Sequence, residues 1–378
     1  MIRLALKMLM GDRGKYWMLL SGITFSTLLM TQQSSIFCGI MIWTTGTIRN
    51  VRAPIWVVDP TVEQVNEIKP LRDTDMGRVR SVDGVLWAMP LFSGLVQTKL
   101  ADGSFKFVQL IGLDATTMVG RPAKMIKGNI EDLRLPNTVV IDSLGVQRLS
   151  AGSKKIDIGD IFEINDREAR VVGICETERS FTGTPYVFAT YEQALEYAPK
   201  TRKMLSFVIA TPQAGKTPSE VASNIEKETG LKAFTEDNFF WATIHWYIKN
   251  TGIPVAFGMT IILGFIVGVA VCGQTFYSFI LDNLRNLGAF KAMGASDRML
   301  ATMLIMQALA VGFLGYGCGL GLAALFGFSV LEKGQPPFYM PQILPLATLL
   351  AILMICVFAA LLGIRKIRKL EPAIVFRG

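Results

Sequence analysis

The sequence predicts an α-helical integral membrane protein with four transmembrane helices and a large α+β extracytoplasmic domain. Three observations lead to this fold class. Four long apolar stretches lack Asp, Glu, Lys and Arg, charged residues make up only 18% of the 378 residues, and a long polar segment separates the first stretch from the second. Because an average soluble protein carries about 25% charged residues, the composition argues against an ordinary soluble protein.

The four apolar stretches are long enough to cross a bilayer, since a hydrocarbon core about 30 Å thick needs about 20 helical residues. The first is longer than the roughly 7–15 apolar residues of a signal peptide, so we interpret it as a retained anchor. The predicted spans are Trp17–Trp43, Val255–Leu281, Leu300–Val330 and Ile343–Ile364, and the segments around them are 1–16, 44–254, 282–299, 331–342 and 365–378.

The distribution of basic residues orients the spans. Segments 1–16, 282–299 and 365–378 together hold twelve Lys and Arg against four Asp and Glu, which accounts for the whole formal charge of +8. Segments 44–254 and 331–342 are each neutral. Because Lys and Arg accumulate on the cytoplasmic side, both termini are expected to be cytoplasmic and the inserted domain extracytoplasmic. The positive charge is therefore a topology signal, and no nucleic-acid partner is expected.

The inserted domain alternates strands and helices in a split βαβ pattern of the ferredoxin-like type. A β-rich insertion interrupts this pattern, so we expect two lobes, followed by a stalk helix at Asp237–Lys249. The predicted elements are Ile55–Val58, a helical stretch Val62–Val82 interrupted at Pro70, strands Leu86–Leu100 and Phe105–Leu113 around a turn at Asp102-Gly103, insertion strands Val139–Ile141, Ile161–Ile164 and Arg170–Ile174, then strand Phe207–Ala210, helix Pro218–Thr229 and strand Lys232–Thr235.

The chain offers little for covalent chemistry. It has one histidine, five cysteines without a CxxC pair, no nucleophile motif and no paired catalytic carboxylates. A zinc site needs several His or Cys ligands at suitable spacing, so a metal centre is not expected. We predict a non-catalytic protein that binds no cofactor itself.

Two features of the spans predict helix contacts. The first span carries a polar patch in its outer half, which forms either a cavity or dimer seam or hydrogen bonds to a neighbouring helix. Small-xxx-small spacing in the second and third spans permits close helix packing, within the chain or in a dimer. The patch consists of Thr31, Gln32, Gln33, Ser34 and Ser35, and the packing glycines are Gly264 and Gly268, and Gly315 and Gly319.

Segment 282–299 is predicted to form a short helix at the cytoplasmic interface. Leu284, Leu287 and Lys291 share one side at helical spacing, and Gly294 is a plausible C-cap. We expect this side to meet a partner protein; the alternative is a basic helix that only anchors the spans.

This link resembles the coupling segment of the FtsX/MacB-type ABC transporter permeases, whose pattern is R-x-x-G-x-x-[RK]-A-[LM]-G-A. The tail Leu370–Gly378 is similar to the ending of that family, and together with Gly273–Tyr277 it most resembles the DevC branch, permeases of glycolipid export. The one-plus-three layout of spans also matches, and the inserted domain resembles the porter-type lobe of the family. The matching residues are Arg285, Gly288, Lys291, Ala292, Met293, Gly294 and Ala295.

The resemblance implies a dimeric permease in the bacterial inner membrane. Its partners would be a separate ABC ATPase that binds ATP and magnesium, a second permease copy, a periplasmic membrane-fusion adaptor, a TolC-like outer-membrane channel and membrane lipids. ATPase motion would be transmitted across the membrane to export a lipid-like or amphiphilic substrate. The coupling residues would be Leu284, Arg285, Leu287, Gly288, Phe290, Lys291, Met293 and Gly294.

Two other functions are compatible with the same resemblance. One is extraction of lipids or lipoproteins from the membrane, and the other is FtsX-like transmission of a signal to an extracytoplasmic enzyme. A lipid-acceptor partner would favour the first, and a hydrolase bound to the inserted domain would favour the second.

Overall fold

The computed structural model describes residues 8, 11, 13–150, 155–199, 205–333 and 336–368, without the side chains of 332, 333, 362 and 365–368. The chain divides into two units. We call Met1–Ile40 with Gly252–Gly378 the membrane unit, and Met41–Thr251 the inserted domain. The tail Leu370–Gly378, together with residues 1–7, 9, 10 and 12 of the N-terminal segment, lies outside the described residues.

Among the described residues, four helices are long and apolar enough to cross a membrane. Each of the four predicted spans lies within one of them, and a short fifth helix, α9, joins the second to the third. The long helices are α1 (Arg13–Thr44), α8 (Ile253–Asp282), α10 (Asp297–Lys333) and α11 (Ile343–Arg368), and α9 is Leu284–Ala292.

The membrane unit has one apolar core to which all four long helices contribute. Glycines allow two of these helices to approach α1 closely. A Cβ atom at Gly268 would lie 2.7 Å from Ser26 Oγ, and one at Gly315 would lie 2.7 Å from Ile23 Cγ2. Gly264 and Gly319 likewise face α1, so the four predicted packing glycines make contacts within the chain.

The inserted domain contains one sheet with strand order β10-β1-β9-β2-β3-β8-β5-β7-β4, and β6 pairs with β2 and β7. At one end of this order, β10, β1, β9 and β2 are antiparallel neighbours. This is the order expected for a split βαβ fold, in which α3 and α6 are the connecting helices. The elements are β1 Ile55–Val58, α3 Asp73–Arg80, β2 Val85–Lys99, β3 Phe105–Leu113, β4 Lys124–Gly128, β5 Thr138–Asp142, α4 Ser143–Arg148, β6 Ile161–Ile164, β7 Arg167–Glu176, β8 Tyr186–Thr190, α5 Tyr191–Tyr197, β9 Phe207–Pro212, α6 Pro218–Thr229, β10 Lys232–Thr235 and α7 Glu236–Asn250, with a 3₁₀ turn at Ile130–Arg134.

The two predicted lobes share the long strand β2. Its first part, through Leu91, pairs with β9 in the ferredoxin-like lobe, and from Phe92 onward it pairs with β3 in the insertion lobe, which we define as β3 to β8. The predicted turns are also present. Gly103 has φ +78°, and Asn165 and Asp166 both have positive φ in the β6–β7 turn.

The prediction of a helix at Val62–Val82 is wrong for the first half of that stretch, since only Asp73–Arg80 is helical. Tertiary contacts satisfy the backbone and side chains of the preceding segment instead. The Val65 amide donates to Thr243 Oγ1 at 3.2 Å, and Asn66 Nδ2 donates to the Thr44 carbonyl at 2.8 Å. Val62 and Val65 are buried in the core of the inserted domain.

Candidate coupling sites

The link between α8 and α10 is a short helix that ends in a tight turn. Only Asn283 separates α8 from α9. Beyond the end of α9, Gly294 has φ +95°, a conformation that glycine adopts without strain. The Ala295 amide donates to the Phe290 carbonyl at 2.9 Å and the Gly294 amide to the Lys291 carbonyl at 3.1 Å. These two bonds form a Schellman motif, which confirms Gly294 as the predicted C-cap glycine.

The side of α9 that carries Leu284 and Leu287, which was predicted to meet a partner, packs within the membrane unit instead, and the coupling role of the link stays a prediction. Leu287 is only 1% exposed and belongs to the core of the membrane unit, and Gly288 is also buried. Leu284 and Phe290 pack against the same core. Apolar residues at i and i+3 define one side of a helix, but they do not say whether that side meets the chain itself or another protein. Here it packs against the chain itself.

The exposed face of the link lies on the opposite side and at the end of α9. Met293, a large apolar residue, is 74% exposed there. Arg285, Ala292 and Gly294 are also exposed, whereas Lys291 is partly buried and forms an ion pair with Asp297 at 3.0 Å. A flexible, exposed thioether side chain can fill an apolar groove on another protein. We call Arg285, Ala292, Met293 and Gly294 the exposed link face.

The polar patch of the first span divides into two groups. Thr31 and Ser35 are completely buried within the chain, and their hydroxyl groups have no hydrogen-bond partner among the described residues. Gln32, Gln33 and Ser34 are only half-buried. The buried pair fits packing within the chain, while the half-buried residues keep polar groups available at the surface of α1.

A second set of contacts, which the sequence did not reveal, lies immediately after α1. The short helix α2 (Gly46–Val51) packs against the strand-to-strand connection that follows β7. Asn50 Nδ2 donates to the Glu178 carbonyl at 3.0 Å, and the Glu178 amide donates to Asn50 Oδ1 at 2.8 Å. Arg49 forms an ion pair with Glu178 at 2.7 Å, and Thr47 Oγ1 lies 3.2 Å from the Tyr186 hydroxyl.

We call Gly46, Thr47, Arg49 and Asn50 the α2 anchor. A Cβ atom at Gly46 would collide with the Arg179 carbonyl oxygen, so only glycine allows this close approach. The anchor joins parts of the chain that lie 128 positions apart in sequence. No local motif at either end signals such a contact.

A buried acid supports the connection to which α2 is anchored. Asp142 Oδ1 accepts from the Gly145 amide at 2.6 Å and Oδ2 accepts from Thr177 Oγ1 at 3.0 Å. Burial raises the pKa of the Asp142 carboxyl, and the hydrogen bonds and the nearby Arg179 guanidinium oppose that rise. Burial also lowers the pKa of Arg179. These groups hold the backbone in place, and across the described ranges no group of three or more His, Cys, Asp or Glu side chains could hold a metal ion.

Comparison with protein families covers both units. Residues 20–228 match the MacB-like periplasmic core domain, and residues 248–372 match the FtsX-like permease C-terminal domain. Together with four apolar helices and an inserted α+β domain, these matches define the class as a membrane-spanning permease of an ABC transporter. The chain belongs to the FtsX/MacB type of these permeases, which confirms the predicted family; the DevC branch stays a prediction.

Individual relatives agree with this class. The chain is 26% identical over 317 residues to an ABC transporter permease of Mycobacterium tuberculosis, covering 82% of this chain and 80% of that protein. It is 24% identical over 181 residues to an ABC transporter permease of Methanocaldococcus jannaschii, covering 46% and 44%. A permease of this kind is a transporter component that works with an ATPase.

Two solved structures are similar to the inserted domain. The periplasmic region of MacB from Actinobacillus actinomycetemcomitans has 15% identity and a TM-score of 0.39, covering 54% of this chain and 98% of that one. The extracellular domain of the ABC-type transporter YknZ from Gram-positive bacteria has 12% identity and a TM-score of 0.37, covering 48% and 100%.

Proposed function

We propose that this permease transmits the motion of a separate ATPase to its inserted domain and thereby drives export of a lipid-like or amphiphilic substrate. The observation that carries the proposal is the construction of the link. Leu287 and Gly288 fix α9 to the core of the membrane unit, while Met293 at its end is open to a partner. A helix held in this way would pass an applied displacement to the helices on either side of it.

The α2 anchor supports a route for that displacement. The chain passes from α1 into α2 with only Thr45 between them. The side-chain amide of Asn50 binds the backbone of Glu178 twice. Its Nδ2 donates to the Glu178 carbonyl, and its Oδ1 accepts from the Glu178 N–H. A shift of the first span would therefore act on the insertion lobe through this pair of bonds.

The proposed setting follows the charge distribution. The exposed link face lies in a segment that belongs to the basic part of the chain, so we place it in the cytoplasm, where ATP and magnesium bind to the ATPase partner. The proposed location is the bacterial inner membrane with both termini cytoplasmic. The proposed further partners are a second copy of this chain, a periplasmic membrane-fusion adaptor, a TolC-like outer-membrane channel and membrane lipids.

Met293→Asp tests the coupling proposal directly. Burial of an apolar side chain of this size at an interface is worth roughly 1.5–3 kcal/mol, and an aspartate would also leave a charge against an apolar surface. Recovery of the ATPase with the detergent-solubilised permease should fall by about tenfold or more. Leu135→Asp is the matched control, since Leu135 is an exposed apolar residue of the inserted domain. Normal ATPase recovery with Met293→Asp would show that the link face does not dock the ATPase.

Gln33→Cys tests the proposed second copy. Gln33 is only half-buried on α1, so a thiol at this position can reach a second copy of the chain. In a background without the five native cysteines, Gln33→Cys should therefore form a disulfide-linked dimer in membranes. Thr31→Cys is the control, since Thr31 is fully buried within the chain and its thiol should not reach a partner. The seam assignment fails if Gln33→Cys gives no dimer in an assembled complex, or if Thr31→Cys cross-links equally well.

A further inference from the structure

A cleft of about 430 Å³ opens in the inserted domain where β2 passes from one lobe to the other. Residues Phe92 to Val96 of β2 and Gln109 of β3 form one side of it, and the irregular segment around Asn66 and the connection around Phe181 form much of the other. Thr47 of α2, Pro199 and Ser206 complete the lining. Its volume lies within the roughly 300–1,000 Å³ typical of small-molecule sites. It is separate from the link and from the α1 patch.

The side chains that line this cleft carry no charge. Among the described residues, its lining contains aromatic, aliphatic, hydroxyl and amide groups but no Asp, Glu, Lys, Arg or His. An ionic group would lose its hydration there without meeting an opposite charge, and that desolvation is costly. The lining therefore favours an uncharged ligand.

Two polar groups in the cleft have unused hydrogen-bonding capacity. Gln109 Nε2 donates to Ser93 Oγ at 2.9 Å, which leaves the Ser93 hydroxyl proton and the Gln109 side-chain oxygen without a bond among the described residues. A ligand hydroxyl could accept from the first and donate to the second, because a hydroxyl group both donates and accepts. The nearby Ser206 hydroxyl is already occupied, since it bonds both the amide and the carbonyl of Ser93.

Two exposed aromatic rings, opposite Gln97 and Lys99 on the neighbouring strand, continue the face of the β2–β3 hairpin beyond the cleft. Leu95 pairs with Gln109, and the next pairs on the same face are Gln97 with Phe107 and Lys99 with Phe105. Phe107 and Phe105 are 54% and 58% exposed, although both are large aromatic residues. An alkyl chain whose polar end lies at Ser93 and Gln109 could bury its length along these two rings.

We infer that the cleft binds an uncharged, hydroxyl-bearing amphiphile, with the polar group at Ser93 and Gln109 and the alkyl chain along Phe107 and Phe105. The inference rests on the proposed function, in which this ligand is the exported substrate. It adds to that function a binding site inside a single inserted domain. The absence of ionisable groups among the described lining residues sets the class of ligand that this site should reject.

Photolabelling of the full-length permease in lipid nanodiscs tests the site. The probe is octyl glucoside with a diazirine in its alkyl chain, and the comparison probe is an alkyl sulfate of the same chain and diazirine. The glucoside should label peptides within 92–111 saturably, unlabelled octyl glucoside should compete, and the sulfate should label about tenfold less. Absence of saturable labelling there, or equal labelling by the sulfate, would overturn the inference.

Two variants localise the effect. Leu95→Glu places a charge at the edge of the cleft and should lower glucoside labelling by about tenfold. Leu86→Glu is the matched control, because Leu86 is exposed on the same strand but does not line the cleft, and it should label normally. Gln109→Met removes the amide at nearly constant length and should also lower labelling, so a folding defect in one variant does not decide the result. Unchanged labelling in both cleft variants would overturn the site.

The outcome is separable from that of the proposed function. Normal glucoside labelling together with full ATPase recovery by Met293→Asp would leave the cleft in place and reject the coupling assignment. Loss of ATPase recovery by Met293→Asp without saturable labelling of 92–111 would keep the coupling assignment and reject the cleft.

Discussion

Leu287→Asp is expected to prevent the permease from accumulating in the membrane. Leu287 is 1% exposed and belongs to the core that the helices of the membrane unit share. A carboxylate at this position would be buried without a partner, a change that costs several kcal/mol. Most small domains have only about 5–15 kcal/mol of total stability, so this loss is large. The measurement is the amount of permease in the membrane fraction, together with the melting temperature of the solubilised protein.

Two further variants make this test specific. Leu287→Ala should accumulate but melt at a lower temperature, since truncating a buried leucine costs about 2–5 kcal/mol. Met293→Asp introduces the same charge six positions away on the exposed link face and should accumulate normally. If Leu287→Asp instead reaches normal levels with an unchanged melting temperature, Leu287 is not a core residue and the leucine side of α9 becomes the docking candidate again.

Gly46→Val is expected to release α2 from the insertion lobe while the membrane unit stays folded. The added Cβ would overlap the Arg179 carbonyl oxygen, a backbone atom that can move only with its strand connection. Overpacking of this kind costs about 1–3 kcal/mol. Displacement of α2 would also break the two Asn50 bonds to Glu178, each worth about 0.5–1.5 kcal/mol. Amide hydrogen exchange should therefore accelerate in peptides that contain Glu178, whose N–H is bonded to Asn50.

Gly77→Val is the control for this substitution. Gly77 lies on the exposed side of α3, and a Cβ atom there would meet nothing within 4 Å. This variant should leave exchange near Glu178 unchanged. Gly46→Val should retain ATPase recovery, because the exposed link face is intact, and should lose export. Unchanged exchange near Glu178 in Gly46→Val would show that the α2 anchor is not the contact described here.

Much of the fold could be predicted because the information is local or periodic. The spans follow from uninterrupted apolar runs, and Pro218–Thr229 has the predicted bounds because Thr217 caps its start and Gly230 ends it. The hairpin turns follow from Asp102-Gly103 and Asn165-Asp166, which readily adopt positive φ. The Val62–Pro70 segment does not form the predicted helix. Backbone amides in it donate hydrogen bonds to Thr243 and to a side chain of the segment itself rather than to helical carbonyl groups.

The sequence by itself determined the number of spans, the insertion between the first two, the family and the position of the link. All of these depend on composition, on spacing within a few turns of helix, or on a contiguous motif. Only the tertiary structure decided which side of α9 faces outward, which members of the α1 patch are buried, and that Asn50 meets Glu178. It also decided that Ser93, Gln109 and Phe181 line one cleft. The physical reason is that the type of a side chain shows only whether burial or a hydrogen bond would stabilise it. Which residue provides that contact depends on packing between residues that lie far apart in the chain.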